Sequence, residues 1–398
     1  MSDDGVQRLA ELIVRFGANV QPGQVVAVGA EPGKEPLARA IAVAAYEAGA
    51  KFVDVTYFDL HIKRARVQYA AEDTLEYVPD WYGERLTQLA DMHGARIGLT
   101  GPVAPGLLDD LDPQRVAKDQ LPFLKETIGI VNARTTNWCA APCPTPAWAE
   151  LVFPDLEPAA ALDKLWEQIL HVCRLDEPDP VAAWGERAEK IVGVAGRLTD
   201  HRFDAVRFVG PGTDLTVGLL PTSKWIAARF ETVDGLVHMP NLPSEEIFST
   251  PDPERVSGHV TSTKPLVVAG NIIRGLKVTF ENGRATQIDA DEGAEVMRGI
   301  VERDPGAARL GEVALVDGEG RIGPLGTVFY DTLLDENAAS HVALGSAYAL
   351  CVDAEDTDKI NTSAIHIDFM IGSPEVDVLG VTASGDEIPV LTGGAWQV

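Results

Sequence analysis

QVVAVGAEPGKEPLARAIAVAAYEAGAKFVDVTYFD, residues 24–59, reads as strand, helix, strand. QVVAVGA is a short apolar run. From Glu35 to Ala48 the apolar residues recur at helical spacing. Gly49 then stops the helix, because glycine takes the left-handed conformation past a helix end without steric cost. KFVDVTYFD is the second strand. Such a β-α-β unit implies parallel strands and a right-handed crossover. The loop between, GAEPGKE, has two glycines but neither the GxGxxG nor the GxxxxGK[ST] order, so it is not read as a nucleotide site.

On the N-terminal side, Val6, Leu9, Leu12, Ile13 and Phe16 predict a helix over 5–18. On the C-terminal side the pattern continues as a helix over Asp73–Met92, a third strand in ARIGLTG, a helix over Asp112–Glu126 and a fourth strand in IGIVNAR. Helices over Ala159–Leu175 and Trp184–Thr199 follow, joined by the acidic, proline-bearing RLDEPDPVAAWG. This gives an α/β N-terminal domain with a parallel sheet over 1–185. The remainder, 186–398, changes character. FDAVRFVG, DLTVGLL, RVSGHVTST, PLVVAGNIIRG, LKVTFENG and RATQIDA are short β-type runs split by glycine and asparagine, with ENG at Glu281–Gly283 a hairpin signal. One amphipathic helix is expected over Asp291–Arg303. The second half is therefore expected to be an α+β C-terminal catalytic domain with a mixed or antiparallel sheet.

The net charge is −27, from 60 acids against 33 bases in 398 residues. That argues against nucleic acid and anionic membranes as partners. The first residues lack a basic segment leading into an apolar run, and no stretch of 18 apolar residues occurs, so neither a signal peptide nor a membrane span is expected. The expected location is cytoplasmic. Cys139 and Cys143 form a C-x3-C without nearby histidines, and all four cysteines are read as buried free thiols rather than a zinc site.

Chemistry concentrates in the second half. In AIHIDFMIG, His366 and Asp368 share one face of a strand while Ile365, Ile367, Phe369 and Ile371 share the other. Two ligands at that spacing can reach one metal; the plain alternative is a buried His–Asp hydrogen bond. DENAASHVALGSAY, Asp335–Tyr348, brings Glu336, His341 and Tyr348 together. If it is one helix, His341 and Tyr348 share a face, though Gly345 opposes continuity. Glu312 heads the strand EVALV, and Glu245 and Glu246 are adjacent acids in an irregular stretch between Pro243 and Pro251. Singly, each is most simply a solvated charge or a core histidine. Together, Glu246, Glu312, Glu336, His341, His366 and Asp368 match two divalent cations, with no thiolate among them. His238, the nearest other histidine, is read as packing or pocket lining. No G-x-S-x-G or HExxH occurs.

At NLPSEEIFSTPD, GEVALVD, DTLLDENAASHVALGSAY and NTSAIHIDFMIG, in that order, the chain resembles the thermophilic aminopeptidases, the aminopeptidase T and S group of metallo-aminopeptidases. NWCAAPCPTPAWA and WIAARFETVDGLVHMPN look similar too. The resemblance implies release of N-terminal residues from peptides with a free N-terminus by a two-metal activated water, with Zn, Co, Mn or Mg as the divalent metal ions. It implies a homodimer. It maps the metal ligands onto Glu246, Glu312, Glu336, His341, His366 and Asp368, with Glu312 bridging and Tyr348 stabilising the tetrahedral intermediate. Glu246 rather than Glu245 follows from register within the motif, and Glu245 is a candidate proton shuttle. Two other readings compete: an iron-dependent ring-opening dioxygenase of related fold, using His341, His366 and Asp368 on Fe(II), and a non-catalytic metal-binding protein.

Overall fold

The structure, a computed structural model, describes residues 3–119, 121, 122, 124, 126–268 and 271–398. The chain divides into two compact units. One holds Met1–Ala188 with Ala228–Ser244 and Phe329–Leu333; the other holds Glu189–Ala227, Glu245–Val328 and Leu334–Val398. The first division falls inside one continuous helix, Pro180–His201.

The first unit is α/β. Its strands β1 (Val25–Ala30), β2 (Phe52–Tyr57), β3 (Ala95–Thr100) and β4 (Asn137–Pro142) form a parallel sheet in the order β2-β1-β3-β4. The helix between β1 and β2 spans Glu35–Glu47, and Gly49 takes φ +91° after it. IGIVNAR is not the fourth strand. It lies in a helix, Glu126–Ala133, and the strand is the following NWCAAP. A four-residue apolar run cannot distinguish the two by periodicity. β4 tolerates Pro142 because it is an edge strand and the proline is its last residue.

Prolines also shorten two expected helices. The helix expected over Asp73–Met92 begins only at Asp80, after Pro79, because a proline biases the residue before it away from helical geometry. The stretch Asp112–Glu126 keeps a helix only over Pro113–Lys118; Gln120, Phe123 and Lys125 lie outside the described residues. The helix expected from Trp184 to Thr199 is longer, Pro180–His201, with Pro180 at its first position, where its missing N–H costs nothing.

Among the described residues the second unit carries two large antiparallel sheets and a two-stranded one. The larger has eight strands, in spatial order 284–289, 277–281, 251–261, 213–219, 205–210, 377–381, 387–392 and 395–396. The ENG hairpin closes as expected between Lys277–Glu281 and Arg284–Asp289. Asn282 and Gly283 both have positive φ, +50° and +79°, as a two-residue hairpin loop of this kind requires. The amphipathic helix is shorter than expected, Ala294–Val301. In PLVVAGNIIRG, Leu266–Val268 pairs with Asn271–Ile273; Ala269 and Gly270 lie outside the described residues.

The smaller sheet is made of β5 (Ile226–Ala227), β6 (Glu246–Ser249), β7 (Leu310–Val316), β8 (His341–Gly345) and β9 (His366–Met370), ordered β9-β8-β7-β6-β5. HVALG is thus strand and not helix. A helix runs Thr332–Glu336 and stops before it, and Gly345, at φ +105°, ends the strand. Val342, Val313, Leu315, Leu344 and Phe369 are fully buried on this sheet, each contributing about 1.5–3 kcal/mol by leaving water. Among the described residues no helix is long and apolar enough to cross a membrane.

Candidate metal centre

Register places five of the six expected ligands. Across the antiparallel pairs, Glu246 lies opposite Val316, Ala314 opposite His341, Glu312 opposite Ala343, Ala343 opposite Asp368, and Gly345 opposite His366. Directly opposed residues share a face, and so do residues two apart on one strand. Four neighbouring strands therefore put Glu246, Glu312, His341, His366 and Asp368 on one face of one sheet. Glu336 arrives at the end of the helix Thr332–Glu336, just before β8. Three of the residues paired with the ligands, Ala314, Ala343 and Gly345, are small and leave room above the sheet; Glu246 and His341 also face the larger Val316 and Met370. The sequence signal for this was the alternation His341, Ala343, Gly345 in HVALG, a period of two that the helical reading passed over.

The side chains converge. His341 Nε2 is 3.1 Å from Glu246 Oε2 and 3.9 Å from Glu312 Oε1. His366 Nε2 is 3.2 Å from Glu312 Oε2 and 3.5 Å from Asp368 Oδ1. Glu312 thus turns one oxygen to each imidazole. Three groups offer donor atoms within 4.8 Å of one another: Glu246–Glu312–His341, Glu312–His366–Asp368, and Glu336–His341–Asp368. Among the described residues these groups take Glu246 and not Glu245. Glu245 is fully buried against Gly320, and its backbone N–H donates to Asn337 Oδ1 at 2.6 Å.

The histidines are held from behind. Nδ1 of His341 lies 3.1 Å from the Ala339 carbonyl oxygen, and Nδ1 of His366 lies 2.7 Å from that of Ser346. A carbonyl oxygen only accepts, so Nδ1 carries the proton in both and the Nε2 side is turned to the carboxylates. This outer hydrogen bond is the arrangement that orients metal-binding imidazoles. The sequence reading missed both carbonyls, since backbone acceptors leave no mark in side-chain composition.

Burial and charge oppose each other here. Burial raises the Glu312 carboxyl to about 6, with the hydrogen bond from His366 pulling the other way. For His341 burial disfavours the imidazolium, but the Glu246 hydrogen bond and charge, with Asp368 and Glu312, raise it to about 9. His366 is likewise raised well above its ordinary value, burial being outweighed by Asp368 and Glu312 together. Tyr348 is pushed well above 10, first by burial and then by Glu312, Asp368, Glu336 and Glu246. Its ring meets those of His366, centroids 5.1 Å apart, and Phe248, 5.7 Å apart. Asp368 moves the other way: against the effect of burial, the His366 charge and hydrogen bond hold it below the usual carboxylate range. Four carboxylates and two imidazoles, all oxygen or nitrogen donors and nearly buried, are a donor set that suits divalent cations.

Outside this face, the remaining expectations are structural. The four cysteines are free and buried, and burial pushes the Cys143 thiol up to about 12. His238 packs among aromatic rings in the first unit, 6.2 Å from Trp138 and 6.0 Å from Phe230 between centroids. Its Nδ1 sits 2.9 Å from the Trp138 carbonyl oxygen. Burial, only partly countered by that bond, lowers its pKa to about 4. In the unfolded chain it titrates near 6.5. Between those values the unfolded state holds the extra proton, so stability is lost as pH falls from about 6.5 to 4, by roughly 3 kcal/mol. His238→Phe should flatten that acid-side decline in a series of thermal melts, and an unchanged slope would refute the assignment.

A family profile described as thermophilic metalloprotease (M29) matches residues 2–396. Aminopeptidase T of Thermus aquaticus is 38% identical over 404 residues, covering 99% of both chains. Aminopeptidase 2 of Geobacillus stearothermophilus is 36% identical, covering 98% of this chain and 97% of its own. In structure, wild-type AmpT from Thermus thermophilus superposes with a TM-score of 0.88 at 37% identity, covering 99% of each chain. Matched from end to end in sequence and in fold, the chain belongs to the thermophilic metalloprotease (M29) family.

Proposed function

We infer that the ligand-bearing face of the smaller sheet hydrolyses the first peptide bond of substrates with a free N-terminus. The protein is a metal-dependent aminopeptidase. The finer reading is that the face holds two divalent cations, Zn, Co, Mn or Mg. Glu246, Glu336 and His341 would serve one, His366 and Asp368 the other, and Glu312 both. The observation that carries it is Glu312, whose two oxygens face two different imidazoles. Cations held there supply a water of lowered pKa and a polarised scissile carbonyl. An iron dioxygenase triad of His341, His366 and Asp368 would leave the three glutamates of the same cluster without a task.

The chain's own groups do the rest. The Tyr348 phenol stays protonated throughout the neutral range, so it remains a donor for a developing oxyanion. Such a donor is worth roughly 10²–10³ in kcat. Tyr348→Phe should therefore lower kcat by that factor with little change in KM or metal content; an unchanged kcat would remove Tyr348 from the mechanism. The carboxylates attract the substrate's α-amine, which confines cleavage to the N-terminus. The homodimer implied by the resemblance and the cytoplasmic location expected from charge and the lack of a signal-like segment belong to the same reading, and light scattering reads the first.

The test is hydrolysis of a panel of aminoacyl p-nitroanilides by metal-stripped protein with Zn, Co, Mn, Mg or Fe restored. Turnover restored by metal and abolished by N-acetylating the substrate is the expected result. Stoichiometric metal binding without turnover on any substrate would sink it.

A further inference from the structure

The turn after β8 joins two parts of the site. It supplies the Ser346 carbonyl that receives the His366 Nδ1–H, and it leads directly into Tyr348. Sheet pairing ends at Gly345, whose φ of +105° is left-handed. A Cβ there would fall 2.2 Å from the Ile365 carbonyl oxygen. The Ser346 N–H still donates to the Ile365 carbonyl at 2.7 Å, and the rest of the turn is held from another side.

Asn361 grips it on both sides. Its side-chain Nδ2 donates to the Gly345 carbonyl at 2.6 Å, and its backbone carbonyl accepts from the Ala347 N–H at 3.0 Å. These two contacts bracket Ser346. The same Nδ2 faces the carbonyls of Gly306 at 2.8 Å and Arg309 at 3.3 Å. Only an amide NH₂ fits among three acceptors, which fixes the orientation of the side chain. Asp304 braces the clasp. Its Oδ1 accepts from the N–H groups of Gly306 and Ala307, and its Oδ2 from Ser363 Oγ and the Ala364 N–H, all at 2.9 Å. Asn361 is buried, and among the described residues its side-chain hydrogen bonds go to backbone carbonyls, not to a metal-ligand side chain.

We propose that Asn361 is a positioning residue: by holding the peptide groups on either side of Ser346 it aims the Ser346 carbonyl at His366 Nδ1, and so sets His366 and Tyr348 together. The proposal rests on the reading of His366 as a metal ligand. Loss of an outer partner of a metal-binding histidine weakens metal binding by about 10–100-fold. A residue needed only for folding would not act through His366.

The test is a competitive-chelator titration with Zn²⁺ and the visible spectrum of the Co²⁺ form, on Asn361→Ala, His366→Ala and the double variant. Circular dichroism checks that each is folded. Asn361→Ala is expected to weaken one of the two cations by about 10–100-fold and to shift the cobalt spectrum. It should be the cation that His366→Ala weakens, and in the His366→Ala background Asn361→Ala should add less than about threefold. Wild-type metal affinity and spectrum in Asn361→Ala, with one cation lost in His366→Ala, would overturn the positioning role alone. Both cations kept in His366→Ala would overturn the ligand reading and this proposal with it. Should Asn361→Ala not fold, Ser363→Ala releases part of the Asp304 brace and leaves Asn361 in place. Its loss of affinity should also vanish in the His366→Ala background, and full additivity would refute the proposal.

Discussion

Replacing Glu312 by glutamine is expected to cut kcat/KM on the order of a thousandfold, about 4 kcal/mol of transition-state stabilisation. The cause is geometric. Oε1 of Glu312 faces His341 Nε2 at 3.9 Å and Oε2 faces His366 Nε2 at 3.2 Å, and Glu312 belongs to two of the three potential cation groups. Glutamine keeps the shape and one acceptor. It removes the charge and turns an NH₂ toward one of the two ligand clusters, where a cation would otherwise sit. Metal content separates this from a purely chemical defect: wild type should hold two equivalents and Glu312→Gln no more than one. The metal-free variant should not be less stable than metal-free wild type at pH 8, since burial disfavours the Glu312 carboxylate in the fold. A variant that keeps both metals and more than a tenth of wild-type turnover would refute the shared-ligand role.

How much of this was legible beforehand depended on whether a signal was local. The β-α-β unit was legible because its helix is periodic and ends on Gly49. The ENG hairpin was legible because both loop positions demand positive φ. His366 and Asp368 share a face simply because a strand alternates. HVALG left helix and strand open because its residues are buried on both faces, so the alternation of His341, Ala343 and Gly345 with Val342 and Leu344 is not one of exposed polar against buried apolar residues. The same ambiguity turned IGIVNAR from strand to helix. The site's assembly was not legible at all from spacing. Glu246, Glu312 and His341 meet only because β6, β7 and β8 pair in one register, with a bulge between Leu310 and Glu312. That is long-range information, and the ordered motifs of the family carried it where the residues alone left alternatives open.

Stripping the metals should leave a protein whose stability falls as pH rises, the opposite of the behaviour of a protein held by ordinary salt-bridged carboxylates. His341 is raised to about 9 in the metal-free fold, whereas a free histidine titrates near 6.5. Below about 6.5 both states carry the proton and the buried contact with Glu246 is fully present. From there to about 9 the folded state holds the extra proton, so each step up in pH weakens folding, by roughly 3 kcal/mol over the window. Glu312, raised to about 6, acts in the same direction at lower pH, between its ordinary value and about 6. His238 opposes it there, costing stability as pH falls below about 6.5. The steady loss belongs to the alkaline side. Divalent cations change this, because they replace the protons on His341 and His366 as the charges that offset the buried carboxylates, and metal binding strengthens as the imidazoles lose their protons. The gap in melting temperature between metal-loaded and chelated protein should therefore widen from pH 6.5 to pH 9. His341→Gln should reduce the pH dependence of the chelated form, His366 carrying the remainder, while lowering metal affinity. A gap that stays constant, or narrows, across that range would mean that the buried carboxylates are neutralised by something other than these two histidines, and the one-faced cluster would lose its claim to be a site that exchanges protons for metal.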